Sequence, residues 1–406
     1  MNTIAEEYVK LVLAVGNHDA DYVDAYHGPE KWKAESQQQK QPLEQIHTSA
    51  HATLRSLVKF DSSAFAEPEK LRHQYLAKQL QSLIARVEML QGKKFTFDQE
   101  SNALYDAVAP TYPEQHFKDI LKEMAETLPG NGTVQERYET FKSRFIIPKE
   151  KLDAVFQAAI NECRSRTKKH IELPSNENFV VEYVTNKAWS GYNWYKGDNH
   201  SLIQMNTDLP IYIDRAVDLA AHEGYPGHHV YNALLEQNLL KKNGWVEFSI
   251  YALFSPQSLI AEGTANFGID VVFTPAERIA FERDVLFPMA GCDGSQAELY
   301  YRVHSLFIKL AYAGNEAARG YLDGKLSKDA AIQWLVDYAL FSRDRATQRI
   351  KFFDAYRSYV INYNLGQDMV AHYIESRGGT SDKPAKRWEE FTKLISSPRL
   401  PSSLRN

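Results

Sequence analysis

The residues Ala221-His222-Glu223-Gly224-Tyr225-Pro226-Gly227-His228-His229 restrict this chain more than any other stretch. Three imidazoles and one carboxylate fall between positions 222 and 229. A zinc hydrolase needs that inventory: neutral nitrogens to hold a metal, and a carboxylate beside them to move a proton. The helical form of the arrangement is HExxH, in which ligands at i and i+4 share one face and the Glu is the general base. Here position i+4 from His222 is Pro226. On an unbroken helix His229, at i+7, would face the same way as His222 but roughly 10 Å further along the axis. Two nitrogens that bind one zinc at about 2.0–2.1 Å cannot stand so far apart. The helix must therefore break. Pro226 interrupts the hydrogen-bond ladder and Gly224 and Gly227 permit turn conformations, so the inserted residues can loop out and return a histidine to the metal. His228 needs the smaller excursion and is the expected second ligand, with His229 the alternative.

A third ligand is expected from Ser258-Leu259-Ile260-Ala261-Glu262-Gly263-Thr264-Ala265-Asn266-Phe267-Gly268. Glu262 is a carboxylate in an otherwise apolar and small-residue helical run, and burying it is expensive unless it is paired or on a metal. In this reading His222, His228 and Glu262 hold Zn2+, a fourth position stays open for water, and Glu223 is the general base.

HEGYPGHH followed by EGTANFG resembles the bacterial family called domain of unknown function 885, whose members show an HE-x-Y-P-G-HH signature and a later EGWA-like segment. The matching residues are His222, Glu223, Tyr225, Pro226, Gly227, His228, His229, Glu262 and Gly263. The Trp-Ala that often follows the EG pair is Thr264-Ala265 here, which implies a different pocket wall. Arg357 and Tyr363-Asn364-Leu365-Gly366 resemble the family's Arg…Tyr-x-x-Gly segment, and the likeness spans roughly residues 180 to 375. That family in turn resembles the gluzincin metallopeptidases, which take two His from one helix and a Glu from the next. The resemblance implies a large, mainly α-helical zincin-like fold and a metallopeptidase of short peptides. It also implies Tyr363 as a hydrogen-bond donor to the oxyanion, with His229 the other candidate. Hydrolysis of a non-peptide amide or ester, or a helical interaction protein with a structural metal, are the alternatives.

The 406 residues suffice for one large domain or two smaller ones. With 44% hydrophobic and 24% charged residues the chain is not a disordered one. A net charge of -5 carries no nucleic-acid signature. Cys163 and Cys292 alone make a disulfide framework improbable and suit a reducing compartment. No basic n-region precedes an apolar stretch and no run of apolar residues is long enough to span a bilayer, so a cytoplasmic protein without membrane contact is expected.

Along the chain, Ile4, Tyr8, Leu11, Val12 and Val15 form a helical stripe, and helical patterns continue to about residue 170. Asn17 to Pro29, which holds two His and three Asp, reads as a capped helix end and turn closed by Gly28-Pro29, with a second metal site the alternative. The β-branched and aromatic content of Phe179–Val184, Gly191–Tyr195 and Ser201–Asn206 predicts a small antiparallel sheet beside the metal helices. Its edge could pair with an extended peptide, which makes Tyr192 and Tyr195 candidate substrate contacts. Arg343, Arg345, Arg349 and Arg357 recur in one late stretch, and Arg357 is the candidate to touch substrate. His304 reads as a core or rim residue. The expected division is a helical scaffold or lid over 1–170, a catalytic region over 171–375 and a loop-rich tail over 376–406. The oligomeric state stays open.

Overall fold

Apolar residues recurring every three to four positions set most of the architecture, because an amphipathic helix is stable only when its apolar stripe is covered. The computed structural model describes residues 1–63 and 65–405. Helix α1 (Asn2–Gly16) buries the stripe named above. It is followed by strand β1 (Val23–Tyr26), helix α2 (Glu67–Leu90) with Pro68 in its first turn, and α3 (Phe97–Tyr105), opened by a Thr96–Gln99 capping box. After α4 (Leu152–Thr167) come strands β2 (Asn178–Val184), β3 (Gly191–Gly197) and β4 (His200–Asn206). Helices α5 (Asp214–Leu219) and α6 (His228–Leu235), strand β5 (Ile250–Ala252) and helix α7 (Pro256–Val272) build the centre of the molecule. Helices α8 (Arg343–Tyr356) and α9 (Ile361–Ser376) close it. The protein is mainly α-helical with a small antiparallel sheet and a mixed one.

The two sheets depart from the expected single antiparallel one in instructive ways. β4 lies between β2 and β3, antiparallel to β3 but parallel to β2. Asp198 and Asn199, both with positive φ, make the tight β3–β4 hairpin. The parallel β2–β4 pair needs a crossover, and β3 itself supplies it. The bend after β2 is fastened by Asn206, whose amide donates to the carbonyls of Lys187 and Trp189. The second sheet was not anticipated: β1 pairs antiparallel with β5, Val23 opposite Ala252 and Tyr26 opposite Ile250. The segment read as a plain turn thus includes a strand, too short to show alternation and with a partner far along the chain.

The position near residue 170 proposed as a boundary is crossed by buried polar bonds. Arg72 on α2 is 2.6 Å from Glu247, with the two side chains 4% and 0% exposed. Tyr75 Oη donates to Gln257 Oε1 at the start of α7 (2.6 Å). The tail, read as loop-rich around one short helix at Trp388 to Ile395, carries that helix over Pro384–Ile395, where it buries Trp388, Phe391, Leu394 and Ile395. Helices α7 and α9 cross with backbone against backbone at Gly263 and Gly366. A Cβ on Gly263 would lie 2.5 Å from the Gly366 carbonyl carbon and oxygen. No helix among the described residues is long and apolar enough to cross a membrane.

Candidate metal centre

The break that the sequence demands at Pro226 is present. Helix α5 widens into a π-helical turn over Ala220–Gly224, Tyr225 is extended, the Tyr225–Pro226 bond is cis, and α6 starts at His228. Backbone bonds from Tyr225 N to Ala220 O (3.0 Å) and Gly227 N to Ala221 O (2.9 Å) hold the loop against the helix end. A side chain on Gly227 would run into the Ala221 and His222 carbonyls, so only glycine fits.

The excursion brings His228 back beside His222, with Glu262 of α7 opposite them. His222 Nε2 is 3.1 Å from His228 Nε2 and 3.2 Å from Glu262 Oε2, and His228 Nε2 is 3.6 Å from the same oxygen. Ligand atoms on a tetrahedral zinc with bonds of about 2.0–2.1 Å stand about 3.3 Å apart, so the triangle matches one face of that tetrahedron. Glu262 Oε2 is buried with no hydrogen-bond partner among the described residues, while Tyr359 donates to Oε1 (2.8 Å). The electrostatics also favour a cation. Burial pulls His228 down, but Glu262 outweighs it and lifts the imidazole to about 9. Burial would raise Glu262, yet His222 and His228 hold it well below the usual carboxylate range.

A polar chain orients these groups. Asn266 Oδ1 lies 2.9 Å from His222 Nδ1, and Asn266 Nδ2 donates to the Tyr363 carbonyl (3.0 Å). An amide oxygen there accepts from Nδ1–H and leaves the Nε2 lone pair for a metal. Glu223 is buried, with its carbonyl held by Asn193 Nδ2 (2.7 Å). A Cβ on Gly191 would come 2.8 Å from Glu223 Oε1, so the glycine makes room for this carboxylate. Burial first, and then the Glu262 charge, raise Glu223; His222, His228 and Arg215 oppose them. A carboxyl raised toward neutrality suits proton transfer.

The other candidate residues divide. Tyr363 is close enough to feel the charges of Glu262 and Glu223, and its ring centre is 5.8 Å from that of Tyr359. Tyr192 donates to Asp24 of β1, on which the charges of His228, Glu262 and Glu223 act; burial raises Asp24 to about 6. His229 is not brought to the cluster. Its Nδ1 meets Ser201 Oγ (2.9 Å) and its Nε2 meets Glu177 Oε2 (3.2 Å), which commits both nitrogens. Tyr225 and Arg164 also donate to Glu177. Burial would raise this carboxyl, but the three donors bring it down to about 2. Tyr195 donates to Glu236 and is 4% exposed. Arg357 Nε pairs with the buried Glu100 at 2.6 Å.

Glu177, Tyr359 and Asn266 were missed at the level of sequence. Tyr359 had a usable signal, since it lies one helical turn before Tyr363. Asp24 was noted only within the His- and Asp-bearing stretch Asn17 to Pro29, and the β1–β5 pairing is what brings it here. His304 lies within a second group with Asp214 and Asp218. Arg278 already holds Asp218 (2.7 Å), Tyr300 donates to Asp214, and burial lowers His304 to about 4.

No family model matches the chain, and no curated protein matches its sequence. Solved structures do. One is a protein named as a lipoprotein from Colwellia psychrerythraea, with a TM-score of 0.52 and 17% identity over 88% of this chain and 68% of that one. Another is the M32 carboxypeptidase from Deinococcus radiodurans R1, with a TM-score of 0.50 and 14% identity over 99% of this chain and 92% of that one. At these identities the likeness shows a shared fold. The chain therefore shares its helical fold with these two proteins, and holds within it a cluster of two imidazoles and a carboxylate.

Proposed function

We propose that this protein is a zinc-dependent peptidase that hydrolyses short peptides, related in its motifs to the domain of unknown function 885 family. The observation that carries the reading is the triangle of His222 Nε2, His228 Nε2 and Glu262 Oε2, with edges of 3.1, 3.2 and 3.6 Å and an unpartnered buried oxygen at one corner. Those three side chains would hold the metal. Zinc bound there supplies a Lewis acid that makes water a nucleophile near neutral pH. Glu223, buried beside the triangle and free of hydrogen-bond partners on its carboxylate among the described residues, takes the proton from the attacking water and gives it to the leaving amine. Tyr363, close enough to feel the charges of Glu262 and Glu223, donates to the developing oxyanion, a task worth about 10²–10³ in rate. His229 takes no catalytic part in this scheme; it fixes the start of α6 to Ser201 and Glu177.

The fold shared with a carboxypeptidase supports peptide over other amides. The two cysteines, neither in a disulfide, support a cytoplasmic location. The test is metal analysis of the purified protein, followed by cleavage of a peptide library read by mass spectrometry. Zinc near one per chain and defined cleavage products are expected. A protein that binds zinc yet cuts none of the peptides would end the peptidase reading.

A further inference from the structure

Among the described residues, Arg349 on α8 is a cation without an ion-pair partner. Its guanidinium carbon stands 4.5 Å over the Phe352 ring, 5.5 Å from Phe353 and 5.9 Å from the Tyr363 ring centre. No carboxylate among the described residues lies within ion-pair distance of it. The neighbouring arginines are better supplied. Arg357 pairs with Glu100 and Arg215 reaches Asp218 (3.4 Å), although Arg345 on the same helix likewise rests on the rings of Phe341 and Phe307. Burial weakens the charged form of Arg349 and lowers it to about 10. The side chain is half-buried, and a guanidinium partly removed from water gains from an anionic partner.

Its place gives the anion an identity. The guanidinium rests over Phe352 and also reaches the ring of Tyr363, the residue that feels both Glu262 and Glu223. Arg349 therefore stands beside the proposed oxyanion donor, on α8. The β1 side is the opposite in sign: Asp24 sits there with Tyr192 as its hydrogen-bond partner, under the charges of Glu223 and Glu262. An anionic group on the substrate is repelled from the Asp24 side and attracted to the Arg349 side. We propose that Arg349 seats a carboxylate of the substrate, so that peptides bearing a free carboxylate beyond the scissile bond are held and oriented by it. This rests on the peptidase reading above. The carboxylate is a chain terminus or an acidic side chain, and the planar fork of Arg349 suits either bidentately.

The test compares zinc-loaded wild type with Arg349→Met, which keeps bulk and removes charge, and Arg349→Lys, which keeps charge and removes the fork. Each is first checked for zinc content and circular dichroism. Hydrolysis is measured on tripeptides as free acids, on the same tripeptides as C-terminal amides, and on amides carrying Asp or Glu. A preference of about 10–100-fold for the carboxylate-bearing member, expressed mainly in KM, is expected from one charge-assisted pair. Arg349→Met should abolish the preference and Arg349→Lys keep part of it. Preference for the free acid identifies the terminus; preference for the acidic amides identifies the side chain. A wild type that treats acid and amide alike, or an Arg349→Met that keeps the preference, overturns the proposal and leaves the peptidase reading standing. A second measurement needs no turnover: thermal stabilisation by an N-acetyl amino acid against its amide. The acid should stabilise wild type more, and Arg349→Met should remove that difference. Equal effects on both proteins refute the seat even if no peptide is cut.

Discussion

Gly263→Ala tests whether the α7–α9 crossing sets the geometry of the centre. The added Cβ would lie 2.5 Å from the Gly366 carbonyl carbon and oxygen and 2.9 Å from its Cα, where ordinary contact begins at 3.4 Å. The obstacle is backbone, so no rotamer relieves it and the helices must part by about 1 Å, the difference of those distances. Overpacking of this kind costs about 1–3 kcal/mol, and a backbone clash belongs near the top of that range. Alanine recovers about 1 kcal/mol of helix propensity over glycine, which leaves a net loss of about 2 kcal/mol. Glu262 is the neighbouring residue, while its partner Tyr359 and the proposed donor Tyr363 belong to the segment that is displaced. His222, His228 and Glu262 all lie outside α9, so zinc should remain. Misplacement of a donor by about 1 Å can cost about 10² in rate. Urea unfolding, zinc stoichiometry and kcat on one peptide read the three effects separately. Gly314→Ala, in the helix Ala311–Leu322, is the control: nothing lies within 4 Å of its Cβ position, and that helix should gain up to about 1 kcal/mol. A Gly263→Ala protein as stable and as active as wild type would refute the argument.

Three further outcomes are expected. Glu223→Gln should retain zinc and lose at least about 10² in kcat, because shape is kept and the base is gone; loss of zinc with activity would make Glu223 a ligand. Dialysis against a mild chelator should strip His228→Ala, while His229→Ala should keep its metal and melt lower, since Glu177 loses a buried partner; the reverse pattern would transfer the ligand role to His229. Glu177 is depressed in the folded state to about 2 from an ordinary 4.5. Its contribution is therefore complete above pH 4.5 and is lost as pH falls toward 2, since a lowered carboxyl stabilises only while ionised. After discounting for solvent around Arg164 this amounts to about 1–2 kcal/mol, and Glu177→Gln should flatten that acid limb in melts taken between pH 5 and 2.

What could be read from the sequence depended on how local the cause was. Pro226 at i+4 dictates a broken helix through its own missing N–H, and the return of the chain at His228 follows from the glycines beside it. Helix α1 and the first turn of α2 announce themselves through spacing and through Pro68. Glu262 stands out because a carboxylate is conspicuous among alanines and glycines. By contrast, β1 and β5 are four and three residues long, and neither shows its pairing until the other is in place. The parallel β2–β4 pair could not be inferred from composition, since strand content is alike for both directions. The partners of Arg357 and His229 are Glu100 and Glu177, and nothing in the intervening sequence links them.

The distances in sequence spanned by the buried bonds bear on how the chain acquires its fold. Arg72 meets Glu247 across 175 residues, Tyr75 meets Gln257 across 182, and Arg357 meets Glu100 across 257. Contacts of such separation must overcome loop-closure entropy before they return anything, which slows folding. During synthesis β1 has no partner until residue 252 has left the ribosome, and Asp24 waits equally long for its place beside the histidines. The centre is thus assembled late, from residues 24 to 363, and a chain truncated before Glu247 would present an unpaired β1 edge and a buried Arg72 without its glutamate. Such species aggregate. Hydrogen exchange begun during refolding should show α1 and α2 protected before the segment around His222, with the latter gaining protection in step with α9.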